Sequence, residues 1–549
     1  MRRGPAGLDT GLGMCFTLSV VSIPKIPEVP EGQRTGVVVQ LLELCHRLVE
    51  LVQALRDEIA QLKGQKPKPK IKPSTLEKGA GSKERGNPRG EGKRAGSEKR
   101  RKTAELRIHE TKVVKPDEVP AGSRFKGYED FTVQELVIRA HNTVYRRERW
   151  LTPSGATVLG KLPAGASSGH FGSTLIAYIL QQYYDGHVTQ PLLLEELLDL
   201  EFDISAGQLN RILTEGKDGF HAEKAAILAA GIEVSSYIHV DDTGARHEGR
   251  NGYCTHIGNE WFAWFESTES KSRVNFLRLL RGQHSDYVLS DEALEYMAAQ
   301  KLPRPLLEQL AAYEPERLQD EAQWNAALVV LGIRSEWHVR IATEGGLLGS
   351  ALEHGVDPGL VIVSDDAGQF DVLRHGLCWI HAERTIRKLV GFSDEQRAAI
   401  EQVRAQIWDF YADLKVYKKE PTAQHKAALA QRFDEIFTAK TCFVSLNLAL
   451  KRLHRNKSEL LLVLEHPEIP LHNNLSERDI REYVKKRKIS GSTRSDLGRR
   501  CRDTFTSLKK TCRKLGVSFW SYLQERVRGG DAIPPLPELI RRVAQESPG

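Results

Sequence analysis

The chain has little that would build a covalent or membrane-embedded scaffold. Its seven cysteines, at positions 15, 45, 254, 378, 442, 501 and 512, are odd in number and include no C-x-x-C pair. That pattern argues against a disulfide framework and against a Cys-rich zinc finger, and it fits a reducing cytoplasm. No apolar run is long enough to span a bilayer, so no membrane partner is expected. An export signal is equally poorly supported: Asp9 and several glycines separate Arg2-Arg3 from the short apolar stretch Met14 to Ile23, and Met14 is itself an alternative start.

What is present is length and basic charge. At 549 residues the chain exceeds what one hydrophobic core organises, so several domains are expected. Lysine and arginine number 79 against 72 acids, a net charge of +7. The basic residues crowd into two stretches, and clustered charge favours a polyanionic partner such as the phosphate backbone.

Organisation follows from composition. Residues 1–37 carry no readable pattern and are expected to be disordered. In 38–63, Leu41, Leu48, Leu55 and Leu62 recur at heptad spacing, with Val38, Cys45, Val52 and Ile59 filling the other seam position. This predicts a leucine-zipper-like, dimerising coiled-coil helix, the alternative being an amphipathic helix packed on its own domain. Residues 64–103 hold Lys, Arg, Gly, Pro, Ser and Glu with almost nothing apolar, ending in Lys99-Arg100-Arg101-Lys102, and read as a basic disordered linker. A small linker or accessory region spans 104–169. Three helices are expected between Thr174 and Gly216, the last two at Pro191–Leu200 and Ala206–Leu213 around the turn Glu201 to Ile204. This is helix-turn-helix spacing, in a region taken as 170–218. Ser205 and Gln208 have capping-box spacing, and Gln208, Asn210 and Arg211 are side chains able to read base edges; an ordinary helical hairpin is the competing reading.

Three acidic positions carry the chemistry. Ser235 to Val240 is a β-rich run ending in Asp241-Asp242, followed by a hairpin from Gly252–Ile257 to Trp261–Phe265. Leu360 to Val363 is a continuous apolar run, as in a strand buried on both faces, and ends in Ser364-Asp365-Asp366. If the strands are neighbours, two carboxylates meet at one sheet edge, where hard cations such as Mg²⁺ or Mn²⁺ find oxygen ligands. The third element is a helix opening at Asn474 and carrying Glu477, Arg478, Arg481, Lys485 and Lys488. There Asn474 and Glu477 have capping-box spacing, and Glu477 and Arg481 can pair across one turn. His375, Cys378 and His381 have the spacing of metal ligands but lack a fourth partner.

These residues resemble a known family, the insertion sequence 66 transposases. The resemblance runs from about Gly169 to Arg528. It is carried by D-D-T at Asp241 to Thr243, S-D-D at Ser364 to Asp366, C-W-I-H-A-E-R at Cys378 to Arg384 and N-N-x-x-E-R-x-I-R at Asn473 to Arg481. The resemblance implies a multidomain α+β or α/β chain with an RNase H-like catalytic domain at 232–490; the largely helical pattern between the first two acids departs from the family and predicts insertions, expected at about 280–355 and 392–466. A basic helical region follows at 491–549.

It also implies a catalytic triad of Asp241, Asp365 and Glu477 holding two Mg²⁺ or Mn²⁺ ions, with Asp242 and Asp366 as reserve acids should the alignment slip by one residue. Arg478, Arg481, Lys485 and Lys488 would hold DNA, and His381, Arg384, Asn473 and Asn474 would support the site. No zinc is expected, because the Cys-rich motif of many members is absent. The implied activity is metal-dependent cleavage of transposon ends and strand transfer into target DNA. Its implied partners are double-stranded DNA, a second copy in a homodimer or higher synaptic complex, and small accessory proteins, in the bacterial cytoplasm at the nucleoid. A nuclease without strand transfer and a non-catalytic DNA-binding regulator are the alternatives.

Overall fold

The computed structural model describes Val38, residues 41–49, Val52, residues 108–163 and residues 169–546. The expected disordered start, the distal half of the zipper and the basic linker lie outside the described residues. The chain divides into two units, 70–141 and a second formed by 1–69 with 142–549. The described part of the first, 108–141, contains neither helix nor strand. All that follows concerns the second, which is α+β. No helix among the described residues is long and apolar enough to cross a membrane.

Residues 41–49 are helical. Leu42 is buried, while the seam residues Leu41 and Leu48 are 54% and 55% exposed. The inward face meets the body of its own chain, with the His46 ring tilted against Phe392 at 4.5 Å between centroids and Glu43 accepting from Gln396. Further on come α1 (Ser173–Leu180), a π-helical turn (Gln181–Asp185), α2 (Gln190–Asp199), α3 (Ala206–Thr214) and α4 (Asp218–Glu233). α3 starts with a complete capping box: Ser205 Oγ accepts the Gln208 amide and Gln208 Oε1 accepts the Ser205 amide. Gly231 on α4 is required by packing, since a Cβ there would meet the Phe262 ring at 2.6 Å.

A five-stranded mixed sheet forms the centre: β1 (Tyr237–Gly244), β2 (Tyr253–Gly258), β3 (Ala263–Thr268), β4 (Val361–Ser364) and β5 (Arg374–Leu377), in spatial order 3-2-1-4-5. β2 is antiparallel to both β1 and β3, whereas β1, β4 and β5 run parallel. The alternation along the strands separates two cores. Ile238, Val240 and Ile362 face the larger one, while Val361, Val363 and Leu377 face the second. β4 is therefore apolar throughout because both its faces are covered. One correction concerns β1: Asp241-Asp242 does not end the strand, because pairing with β2 continues to Gly244.

Between β3 and β4 the chain is mainly helical (Arg273–Leu280, Asp291–Ala299, Arg304–Ala311, Glu321–Val330 and Glu336–Glu353), and these helices complete the larger core. After β5 comes α5 (Trp379–Arg387), then a second helical segment (Asp394–Lys419, Ala423–Phe437, Val444–Arg455 and Lys457–Leu460) that fills the other core. The last elements used here are α6 (Asn474–Ser490) and α7 (Asp496–Lys514).

α7 closes the sheet at β3. An edge strand leaves alternate backbone N–H groups unpaired. Here those of Ala263, Phe265 and Ser267 are accepted by Thr511 Oγ1 at 3.1 Å, Ser507 Oγ at 2.9 Å and Asp503 Oδ2 at 2.8 Å. The match is metric: four helical residues rise about 6 Å and two strand residues about 6.6 Å, so side chains four apart meet amides two apart.

Candidate active site

Parallel register decides which acids share a face. His239 lies opposite Val363, so two residues further along, Asp241 and, just past the end of β4, Asp365 fall on one side of the sheet and Asp242 on the other. Asp241 also pairs with His256 on β2. The His256 ring bonds Ser476 of α6 at 2.7 Å, which places α6, the helix of Glu477, over that same face. Three carboxylates from a strand interior, a strand end and a helix are thereby brought together.

Their electrostatics reflect this. Burial, and next the charge of Asp365, push the Asp241 carboxyl well above the usual carboxylate range, with Glu477 adding to the effect. Asp365 Oδ1 is buried and has no hydrogen-bond partner among the described residues. Glu477 is half-buried, with His381 Nε2 at 3.4 Å, Arg384 Nη2 at 3.8 Å and Arg481 Nη2 at 3.5 Å. Asp242 is occupied differently: its oxygens accept from Thr255 Oγ1 and Gln369 Nε2, each at 2.6 Å, and Lys271 stands 3.9 Å away. Asp366 follows the strand end at φ 76°, a left-handed turn that directs it away from its neighbour.

α6 is docked by polar pegs. Asn473, Ser476, Asp479, Tyr483 and Lys486 recur at helical spacing and are all at most 5% exposed. Asn473 donates through Nδ2 to the Val240 carbonyl at 2.8 Å, so its Oδ1 accepts from His239 Nδ1 at 2.8 Å. Burial holds that imidazole down to about 3, hence neutral and able to donate. Cys378 Sγ accepts the Asn473 amide at 3.2 Å. Asp479 is held well below its usual range: burial alone would raise it, but His256, Lys514 and Lys510 prevail, both lysines lying at 2.8 Å.

α6 is preceded by Asn473 and has no side-chain cap among the described residues, so the capping-box spacing of Asn474 and Glu477, the competing account of that glutamate, is not used. Asn473 is instead used against β1. The signal for the pegs was available as buried-polar spacing, but an isolated helix with these residues reads as simply hydrophilic.

The basic run divides between the two sides of α6. Arg478, Arg481, Lys485 and Lys488 are exposed. Lys486 points inward, donating to the Tyr183 carbonyl at 2.6 Å and lying 3.5 Å over its ring. Arg487 bonds Thr243 and the Gly244 carbonyl. On α3, Gln208 is committed to its cap, Asn210 accepts from Gln190 Nε2 at 3.2 Å, and Arg211 is exposed. His375, Cys378 and His381 do not form one ligand set: the first bonds Glu459 and Ser364, the second receives Asn473, and the third faces Glu477. His375 does come within ligand-like range of Asp371 and Glu459, all three lying within 4.8 Å of one another.

Two comparisons bear on the chain. The family profile described as "Transposase IS66 family" matches residues 359–500, which include Asp365, His381 and Glu477. A protein of Sinorhizobium fredii (strain NBRC 101917 / NGR234), named "Uncharacterized protein y4jO", is 46% identical over 317 residues, covering 57% of this chain and 99% of that protein.

Proposed function

The chain belongs to the IS66 transposase family, and from that premise we propose that it cuts and joins DNA ends with divalent cations held by Asp241, Asp365 and Glu477. The observation that carries this reading is a buried Asp365 oxygen without a partner among the described residues, beside an Asp241 whose ionised form is disfavoured by burial and then by its acidic neighbour. Clustered carboxylates of this kind are relieved by cations, and an all-oxygen donor set suits Mg²⁺ or Mn²⁺. The 3-2-1-4-5 sheet with a single antiparallel strand supports an RNase H-like reading of the domain.

Bound there, two divalent cations would stabilise the charge developing on the attacking and leaving oxygens of an in-line phosphodiester displacement. The chain's own residues do the rest. Asp241 is fixed in the interior of β1 and Asp365 just past the end of the neighbouring strand β4, while the polar pegs of α6 fix the height of Glu477 above them. Arg478, Arg481, Lys485 and Lys488, exposed on the same helix, grip backbone phosphates on either side of the scissile bond. Arg384 and His381 border Glu477 and close the site towards α5. With water as nucleophile the end is nicked to give a 3′-hydroxyl; with that hydroxyl as nucleophile the end is joined to target DNA. Two ends require two copies, for which the exposed seam of the N-terminal helix is the proposed contact.

The test is paired-end DNA incubated with purified protein and Mg²⁺, with products resolved by length. Cleaved and joined products are expected from the natural chain. Asp241→Asn, Asp365→Asn and Glu477→Gln should yield neither while still binding DNA. Joining at the natural rate by Asp241→Asn would overturn the assignment, and cleavage without joining would favour a nuclease.

A further inference from the structure

A polar chain behind Asp365 has no part in the chemistry above. Ser364 is fully buried, and its hydroxyl lies 2.7 Å from Nε2 of His375 on the neighbouring strand β5. Nδ1 of the same ring is 2.7 Å from Oε1 of Glu459, on the short Lys457–Leu460 helix that ends the second helical segment. Asp371 stands farther off, its Oδ1 3.9 Å from Nδ1 and its Oδ2 paired with Arg273 at 3.5 Å.

The donor inventory sets the direction. A carboxylate accepts, so Nδ1 carries the hydrogen towards Glu459; in the neutral ring Nε2 holds a lone pair, to which the Ser364 hydroxyl donates. The Ser364 oxygen is left to accept, and the Asp366 amide approaches it at 3.4 Å. Buried between β1 and β5, Ser364 has no route to a substrate, so its order with His375 and Glu459 is a tether and not the relay of a nucleophile.

The tether encloses Asp365. The residue before it is bonded through its side chain, and the residue after it turns into the left-handed region at φ 76°, a conformation that persists only where its surroundings hold it. Since Asp365 Oδ1 makes no hydrogen bond among the described residues, the direction of that oxygen is set through the backbone on either side.

We propose that Glu459, His375 and Ser364 form a hydrogen-bonded relay that aims Asp365, with His375 and Glu459 as positioning residues supplied by β5 and by the helical segment after it. The inference rests on the proposed metal-binding role of Asp365. Partners that orient a ligand without touching the metal typically contribute tenfold to a hundredfold in metal affinity.

The experiment is calorimetric titration of Mn²⁺ into the full chain without DNA. Glu459→Ala and His375→Ala should weaken binding by about tenfold or more. Glu459→Gln, which keeps a carbonyl acceptor for Nδ1–H, should stay within about threefold of the natural chain. Glu459 lies near the surface, so its variants remain informative if His375→Ala does not fold. Unchanged affinity in Glu459→Ala, or equal loss in Glu459→Ala and Glu459→Gln, would overturn the relay while leaving the metal site standing, provided Asp241→Asn abolishes binding. A natural chain that binds no Mn²⁺ would overturn the metal site and the relay with it.

Discussion

Removing the Asn473 side chain tests how the helix of Glu477 is held. In Asn473→Ala, the His239 Nδ1 hydrogen and the Val240 carbonyl both lose a partner, in a place where Asn473 and His239 are each 1% exposed. Leaving one buried polar group unsatisfied costs roughly 1–3 kcal/mol, so the pair should cost about 2–4 kcal/mol after local relaxation. Asn473→Asp should cost more, because it still accepts from His239 but sets a carboxylate oxygen against the Val240 carbonyl. Urea unfolding would measure the loss, and hydrogen exchange in 474–490 would show whether it is confined to α6. Glu477 sits one turn along, so cleavage should fall out of proportion to stability, with DNA binding retained through the exposed cations. If Asn473→Asp matched the natural chain in both stability and cleavage, the claim that this amide locks the helix to β1 would be wrong.

Further outcomes follow from the same geometry. Thr511→Val should destabilise by about 1–3 kcal/mol, since it removes the side-chain oxygen that accepts the Ala263 amide; a urea midpoint unmoved by this substitution would contradict the seal at β3. Lys486 is lowered to about 7, by burial first and then by Arg502 and Lys509. A depressed lysine favours the folded state above its unfolded value near 10.5, and that contribution is lost as pH falls through about 7. Stability should therefore rise between pH 7 and 10 and flatten in Lys486→Met, as thermal melts across that range would show. Lys488→Ala should weaken DNA binding uniformly across sequences and reduce the salt dependence by about one counterion, whereas Lys486→Met should leave that slope unchanged.

Much of the candidate site was legible because strand alternation and local motifs carry it. The apolar run before Asp365 announced a central strand, and the Ser205–Gln208 spacing announced a cap that forms as expected. The parts that were not legible depend on contacts far apart in sequence. Asn473 has local alternatives as a cap residue, and its use against Val240 and His239 appears only when β1 lies beneath it. The run from Lys485 to Lys488 looks uniform as charge, yet the helical turn sends Lys486 inward and Lys488 outward. For the Asp doublets, the sequence left two settings open; the pairing of His239 with Val363 puts Asp241 and Asp365 on a single side.

Because α7 stands along β3, the sheet presents no open rim there for a strand from another molecule. An assembly that joins two copies cannot then extend the sheet across β3 and has to use other surfaces of the subunit. The same arrangement makes residues after 490 part of the sheet's construction, so a chain ended at that point would bare three unpaired amides and a ready template for aggregation.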